Sequence, residues 1–345
     1  MTTPSATLPS VLDEFADPTL RARLEEGLAA VEARLGEVAH RDDPVIGPPV
    51  AHLLKAGGKR MRPLLTLLAA ELADGATPAV IDAAAAVELT HLASLYHDDV
   101  MDQAALRRGV AAAHLEFTPT IAILAGDWLF AQASTLVAGL GPEAVRIQAG
   151  TFARLCEGQI RETTGPGPTD DPIAHHLLVI EGKTACLITS AAHLGALLAG
   201  ASPATVDAVV AYAHNVGVAF QLADDIIDLT ATPDVTGKAA GTDLRERVPT
   251  MPLLLLEAQA KRDQARGLTA SDAIVLTRDI AGNLDDDATL ASVLSRLTAS
   301  PALQEAREIA RRWSADAIAA LAPLPPTPAQ QALETFAHHT ISRLS

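Results

Sequence analysis

The chain has 345 residues, of which 49% are hydrophobic and only 3% are aromatic. It can therefore bury a sizeable core of alanine, leucine, valine and isoleucine, in one large domain or in two. The formal net charge of −16 excludes the basic footprint that nucleic-acid binding requires, but it leaves room for an anionic substrate, because bound metals and local basic clusters can invert the local field.

The cysteines and the apolar segments predict a cytoplasmic protein. Neither Cys156 nor Cys186 has metal-ligand spacing, so we expect two buried structural thiols in a reducing compartment. The first residues show no basic region followed by an apolar run, which argues against a signal peptide. Residues 184–202 lack Asp, Glu, Lys and Arg and approach the length of a membrane span. Polar residues and glycines dilute their hydropathy, so we expect a core helix and no stable membrane insertion.

The predicted elements are helical throughout. Residues 1–18 are polar and proline-bearing and predict a loosely ordered leader, and residues 19–345 predict one domain. Gly109 is the expected C-cap of the third helix. Apolar residues at helical spacing predict helices near 19–37, 50–72, 80–108, 118–139, 141–162, 173–200 and 204–229, with more helix after a loop at 230–252. We therefore predict an all-α fold, a single large bundle of about twelve helices around one core.

Three aspartates at the end of the third predicted helix are spaced i, i+1 and i+4: Asp98, Asp99 and Asp102. Residues four apart share one face of a helix, and like charges there destabilise an isolated helix by roughly 0.2–0.5 kcal/mol. Oxygen ligands at this spacing suit Mg²⁺, whose shell is often completed by waters and substrate phosphates. The alternative is a solvated acidic face.

A second triplet, Asp224, Asp225 and Asp228, repeats the spacing between apolar flanks. Charges are almost never fully buried unless they are paired, so this triplet needs a metal ion or cationic partners. Two such motifs facing each other across a helical cavity would hold one polyanion between metal ions.

Four separate groups of basic residues accompany these aspartates. Arginine offers a planar fork that matches phosphate oxygens, and lysine offers a point charge. Each group alone is typical of a solvated face. The groups are Lys59 to Arg62 in GGKRMRP, the pair Arg107 and Arg108, Lys183 before Thr184, and Lys238. Together with bound Mg²⁺, which can neutralise and orient a leaving group, they favour departure of a diphosphate from carbon beside an apolar cavity.

The motifs and their order resemble those of the trans-isoprenyl diphosphate synthases, the polyprenyl synthetase family, and in particular its bacterial medium- and long-chain members. The matching motifs are GGKRMRP (57–63), HLASLYHDDVMD (91–102), RRG (107–109), AGDWLF (125–130), GKT (182–184), FQLADDIID (220–228) and GKAAGTDLRE (237–246).

The resemblance implies an isoprenoid synthase-type bundle with a central cavity, a homodimer, and a Mg²⁺-dependent prenyltransferase that holds three ions with substrate bound. Its implied metal ligands are Asp98, Asp102 and Asp224, supported by Asp99, Asp225 and Asp228. The residues implied for isopentenyl diphosphate are Lys59, Arg62, His91 and Arg108. Those implied for an allylic diphosphate are Arg107, Lys183, Thr184, Gln221 and Lys238, with Lys183 also among the catalytic residues. A lone histidine such as His91 is otherwise more often a core residue, and His97 has no implied role.

The chain departs from the family pattern at two places. Arg247 and Val248 follow DLRE where the family commonly has Gly-Lys, so one lysine is absent or is replaced by Arg247. After RRG, the residues are Val-Ala-Ala-Ala-His in place of a Pro-Ser/Thr-Asn stretch.

Small residues upstream of the first aspartate motif predict the product length. Ala93 and Ser94 stand one turn before Asp98, and Thr90 stands two turns before it. With no large ring on this path, about 5.4 Å per turn, we expect an all-trans product of about C30–C50. The alternatives are a short-chain (C15–C20) synthase of the same family, a class I terpene cyclase, and a non-catalytic partner subunit.

Overall fold

The computed structural model describes residues 9–230, 241–342 and 344. In chain order, the helices are α1 (Pro18–Ala39), α2 (Gly47–Lys55), α3 (Met61–Ala70), α4 (Pro78–Met101), α5 (Ala113–Glu116), α6 (Pro119–Ala138), α7 (Pro142–Thr164), α8 (Pro172–Ile180), α9 (Cys186–Leu198), α10 (Pro203–Thr230), α11 (Thr242–Arg245), α12 (Met251–Ala265), α13 (Asp272–Ile280), α14 (Asp287–Thr298), α15 (Pro301–Ala320) and α16 (Pro328–Ser342). A 3₁₀ turn (Ser10–Glu14), a π-helical segment (Glu181–Ala185) and a hairpin of strands β1 (Leu106–Arg107) and β2 (Val110–Ala111) complete them. The all-α prediction is confirmed, with more helices than about twelve.

Several helices begin where the sequence supplies both a side-chain cap and a proline. The cap accepts a backbone N–H of the first turn, and proline fits the first helical position because its missing N–H is not needed there. This pair begins α1, α4, α6 and α8 at Asp17-Pro18, Thr77-Pro78, Thr118-Pro119 and Asp171-Pro172.

The described residues fall into two compact units. The first comprises Met1–Ala153, Cys186–Ala213 and Ala320–Phe336. Helix α4 is its centre and packs against α1, α3, α6 and α9. Residues 83–90 of α4 are all buried, and the run of alanines there lets neighbouring helices approach closely. At Gly195 the approach of α9 to α3 is so close that a β-carbon would overlap the Thr66 carbonyl.

The second unit comprises Arg154–Ala185, His214–Ala319 and Ala337–Ser345. Its core joins the second half of α10 to α12, α14 and α15 through buried aliphatic side chains such as Leu222, Ile226, Leu255, Leu297 and Leu303. The second aspartate motif lies on this buried part of α10.

Two predicted helices differ from the helices of the structure. The helix predicted over 50–72 is broken, because Gly57, Gly58 and Arg60 have φ values of 82°, 155° and 49°. The helix predicted over 80–108 ends at Met101. Gly109 is therefore not its C-cap but part of the β1–β2 turn.

Further expectations can be compared with the structure. Val11, Leu12 and Phe15 of the predicted leader are buried, whereas residues 1–8 lie outside the described residues. Cys186 is buried as predicted, but Cys156 is exposed on α7, so that part of the prediction was wrong.

Three helical stretches are long and apolar enough to span a membrane by length and composition alone: Pro78–Met101, Pro119–Ala138 and Pro172–Leu198. Most of the apolar window of the first and third is buried inside the protein, 67% and 61%, against 39% for the second. Packing within the protein therefore accounts for the apolar character of the first and third stretches.

Candidate active site

The basic motif of the first unit is fixed by a buried arginine. Arg60 has only 3% of its side chain exposed and pairs with Glu32 and, at 2.8 Å, with Glu88 of α4. Burial lowers the pKa of Arg60, but the hydrogen bond to Glu32 and the charge of Glu88 outweigh it, so the pKa is raised overall. Arg60 thus anchors the loop, while its neighbour Lys59 is exposed and Arg62 is partly exposed.

The RRG motif forms a tight hairpin turn. Arg107 pairs with Val110, and the two residues between them, Arg108 and Gly109, have φ values of 53° and 79°, as a type I′ turn requires. The Arg108 guanidinium donates to the carbonyl oxygen of Gly57. The hairpin thus brings Arg108 to the basic loop.

Close packing of these two arginines explains the second glycine of GGKRMRP. A β-carbon at Gly58 would lie 2.8 Å from guanidinium atoms of both Arg60 and Arg108. Glu88 lies 3.7 Å from Arg108 as well as contacting Arg60. One buried carboxylate therefore serves two arginines.

His91 faces this positive cluster. Burial, followed by the charges of Arg62, Arg108, Arg107 and Arg60, holds the pKa of His91 well below its usual value. The imidazole is therefore neutral at pH 7. In a chain of net charge −16, this cluster of positive charge would attract an anionic group.

The first aspartate motif divides into two roles. Asp98 and Asp102 are accessible and stand one turn apart, whereas Asp99 is fully buried. The Arg107 guanidinium donates to Oδ1 of Asp99 at 2.6 and 2.7 Å. Adjacent residues on a helix point in different directions, so Asp99 holds the hairpin while its neighbours face outward.

His97 links α4 to α6. Its Nε2 lies 3.1 Å from the carbonyl oxygen of Ile123 and 3.4 Å from Oδ1 of Asp127. A β-carbon at Gly126 would overlap the imidazole ring, which explains the glycine of AGDWLF. His97 thus sets the position of the helix turn that carries Asp98.

The second aspartate motif shows the same division. Asp224 and Asp228 are partly exposed on one face of α10, and Asp225 is buried. Oδ2 of Asp225 lies 2.9 Å from Nε2 of His176 and accepts the backbone N–H of Met251 at 3.1 Å. Asp225 therefore joins α8, α10 and α12.

The GKT motif lies in the π-helical segment, a type of distortion that is frequent at functional sites. Its Gly182 touches Gly158 of α7 backbone to backbone. A β-carbon at Gly158 would lie 2.6 Å from the backbone nitrogen of Lys183. The Lys183 ammonium contacts Glu162. The Thr184 hydroxyl donates to Oε1 of Gln221 at 2.8 Å. The structure therefore brings together three of the residues predicted to bind the allylic diphosphate.

Among the described residues, no three His, Cys, Asp or Glu side chains gather around a single point suited to a metal ion. Asp99 contacts Arg107, and Asp225 contacts His176. Each motif also has two accessible carboxylates one turn apart. That donor set fits Mg²⁺, which commonly uses one or two carboxylates together with substrate phosphates.

Some predicted contacts differ or cannot be placed. Lys238 lies outside the described residues. Arg247 donates to the carbonyl oxygen of Gly282 at 2.8 Å, a structural contact that the sequence did not predict. Sequence reasoning also missed Glu88 and His176. Glu88 carried a signal, because a lone carboxylate in the apolar run of α4 requires a cationic partner.

Comparison with known proteins identifies the family. Residues 43–273 match the Polyprenyl synthetase family. The chain is 41% identical to a nonaprenyl diphosphate synthase from Mycobacterium tuberculosis, over 99% of each chain. Its fold is similar to that of a geranylgeranyl pyrophosphate synthase from Corynebacterium glutamicum, which was solved with calcium and isoprenyl diphosphate. The TM-score is 0.83 and the identity 41%, over 95% of this chain and 98% of that chain. A decaprenyl diphosphate synthase from Rhodobacter capsulatus also has a TM-score of 0.83, at 34% identity and 95% and 99% coverage.

These matches cover nearly the whole chain and include every motif on which the resemblance rests. The prediction of a prenyltransferase is therefore confirmed, and the chain belongs to the polyprenyl synthetase family.

Proposed function

We propose that the chain condenses isopentenyl diphosphate with an allylic diphosphate to give an all-trans polyprenyl diphosphate of medium or long chain. The allylic substrate loses its diphosphate, the double bond of isopentenyl diphosphate attacks the resulting cation, and proton loss completes one five-carbon extension. The observation that carries the proposal is the positive cluster at His91 in an acidic protein of this family.

The acceptor diphosphate would bind in the first unit. Arg62 and Arg108 supply permanent charge suited to phosphate oxygens, and neutral His91 can donate one hydrogen bond. The exposed Lys59 adds a mobile charge at the edge. Arg60, with both carboxylate partners, supports this pocket and does not itself bind the ligand.

The carboxylates left accessible in each motif would hold Mg²⁺: Asp98 and Asp102 in the first unit, and Asp224 and Asp228 in the second. When bound, Mg²⁺ neutralises and orients a diphosphate leaving group. Lys183, Thr184 and Gln221 keep their predicted role toward the allylic diphosphate. A count of three ions, and a role for Lys238, follow only from the family resemblance.

We propose a chain length of about C30–C50 because a small, partly accessible residue, Ser94, stands about 6 Å or one helical turn before Asp98. Ala93, which the sequence placed beside it, is fully buried. The tail should therefore pass over Ser94 rather than Ala93. The similarity to the nonaprenyl and decaprenyl synthases supports the same range.

A homodimer would cover the exposed apolar side chains of α6 and α7. Ile123 and Leu124 of α6 are 43% and 56% exposed, and Val145 and Phe152 of α7 are 43% and 39% exposed. Such a face on two neighbouring helices is typical of a protein interface. We further propose that the dimer works in the cytoplasm.

Replacing one carboxylate at a time tests the assignment. Asp98→Ala and Asp224→Ala should each lower kcat by orders of magnitude, because positioned electrostatic stabilisation is lost, while folding survives. Asp170→Ala, an exposed aspartate in the loop before α8, is the matched control and should keep wild-type kcat. Near-normal turnover of either motif variant at saturating substrates and Mg²⁺ would refute the roles given to the motifs.

A further inference from the structure

Two polar side chains meet in the core of the first unit. Nε2 of Gln148, on α7, donates to the hydroxyl oxygen of Thr90, on α4, at 2.7 Å. Thr90 is completely buried, and Gln148 is 7% exposed. Polar groups in such a position need a reason, because burying them costs free energy unless their hydrogen bonds are complete.

The hydrogen bonds of this pair fix its orientation but leave it incomplete. The Thr90 hydroxyl donates to the carbonyl oxygen of Ala86 at 2.8 Å, so its oxygen must accept from Gln148, and the amide nitrogen must face it. Oε1 of Gln148 has no hydrogen-bond partner within the part of the chain that the structure describes. An unsatisfied buried oxygen of this kind costs about 1–3 kcal/mol, which makes the closed arrangement easy to displace.

The pair lies on the line that leads upstream from the first aspartate motif. Asp98, Ser94 and Thr90 follow each other at intervals of four residues and so share one side of α4. Asp98 and Ser94 are partly accessible, whereas every residue from 83 to 90 is buried. The accessible strip therefore ends between Ser94 and Thr90, where Gln148 crosses from α7.

Aromatic contacts show that α7 follows α4 toward its aspartate end. One turn beyond Gln148, the ring of Phe152 packs on Phe130 at a centroid distance of 4.4 Å. Phe130 in turn contacts His97, which adjoins Asp98, at 5.6 Å. Gln148 therefore crosses at the depth of Thr90, about 12 Å along α4 from Asp98.

We propose that the Thr90–Gln148 hydrogen bond is a displaceable stop across the path of the growing prenyl tail, and that it sets the distribution of product lengths. The inference rests on the proposed function. A tail that has passed Ser94 meets Gln148 and must push it aside to grow further, so some chains are released at that point. Removing either partner of the hydrogen bond opens the path.

The test is the distribution of product lengths formed from labelled isopentenyl diphosphate, a short allylic diphosphate and Mg²⁺, normalised to total incorporation. Gln148→Ala and Thr90→Val should both reduce the fraction of short products, those released at the stop, relative to the longer products. Thr90→Ser keeps the hydroxyl and should give the wild-type distribution. Thr90→Val is nearly isosteric with the wild type, so it carries the test if Gln148→Ala fails to fold.

Gln259→Ala is the matched control, since it removes a glutamine hydrogen bond to Asp263 on α12, within the second unit. It should leave the distribution unchanged. A wild-type distribution in Gln148→Ala or in Thr90→Val, with incorporation intact, would overturn the stop but not the proposed function. No incorporation by the wild-type protein would overturn the proposed function, and the stop with it.

Discussion

The variant Glu88→Gln tests whether a buried carboxylate, rather than charge at the surface, supports the acceptor pocket. The Glu88 side chain is 2% exposed and lies 2.8 Å from Arg60 and 3.7 Å from Arg108. Glutamine preserves the shape but removes the carboxylate that both arginines share among the described residues. Arg60 then keeps its contact with Glu32, and Arg108 keeps its carbonyl contacts.

The expected cost follows from burial. Breaking a buried ion pair by removing one partner costs about 3–5 kcal/mol, because an uncompensated charge remains inside. Since Glu32 still faces Arg60, we expect the lower end, about 3 kcal/mol of unfolding free energy. Arg108 should also lose its position, raising KM for isopentenyl diphosphate by about tenfold, which corresponds to about 1.4 kcal/mol.

Urea unfolding and steady-state kinetics measure the two effects. Glu37→Gln is the matched control, because Glu37 pairs with Arg34 at 3.1 Å but is 67% exposed. Exposed pairs of this kind are worth about 0.5 kcal/mol or less. If Glu88→Gln destabilises the protein no more than Glu37→Gln does, the buried carboxylate does not hold the two arginines, and the reasoning fails.

Three further predictions concern the same unit. Arg62→Ala should raise KM for isopentenyl diphosphate far more than KM for the allylic primer, and equal effects in initial-rate kinetics would contradict a separate acceptor pocket. Gly126→Ala should lower the free energy of unfolding by about 1–3 kcal/mol through overpacking. It should also lower kcat, because the new methyl group displaces His97 beside the aspartate motif. Gly150→Ala, with open space around it, should have neither effect in the same urea and kinetic assays. His91 has a lowered pKa in the folded state, so the unfolded chain binds the extra proton and stability should fall as pH drops below about 6.5, by at most about 1.4 kcal/mol per pH unit. His91→Gln should show a smaller loss between pH 7 and pH 5.5 in urea unfolding, and an unchanged pH dependence would count against a neutral His91.

The sequence predicted the helical class and the motif positions because both depend on local patterns. Apolar spacing marks helices, and the i, i+4 aspartates mark a shared face. The ends of α4 and of the basic loop could not be predicted in the same way. They depend on Arg60, Gln103 and Arg108 in left-handed conformations, which only tertiary contacts enforce.

The different contacts of the aspartates within each motif could also be recognised only from the structure. Sequence spacing assigns Asp99 and Asp225 to the same group as their neighbours. Only the placement of Arg107 and His176, from a hairpin and from a separate helix, shows that these two carboxylates are occupied. The Thr90–Gln148 contact likewise joins residues 58 positions apart, beyond the reach of any local pattern.

The most direct test of the account is one incubation of the wild-type protein with isopentenyl diphosphate, a short allylic diphosphate and Mg²⁺, followed by product analysis. We predict an all-trans polyprenyl diphosphate of about C30–C50, since the path upstream of Asp98 passes the small residue Ser94 about one helical turn away, and no product once Mg²⁺ is chelated. Failure to consume isopentenyl diphosphate, or conversion of the allylic diphosphate alone into a hydrocarbon, would contradict the account.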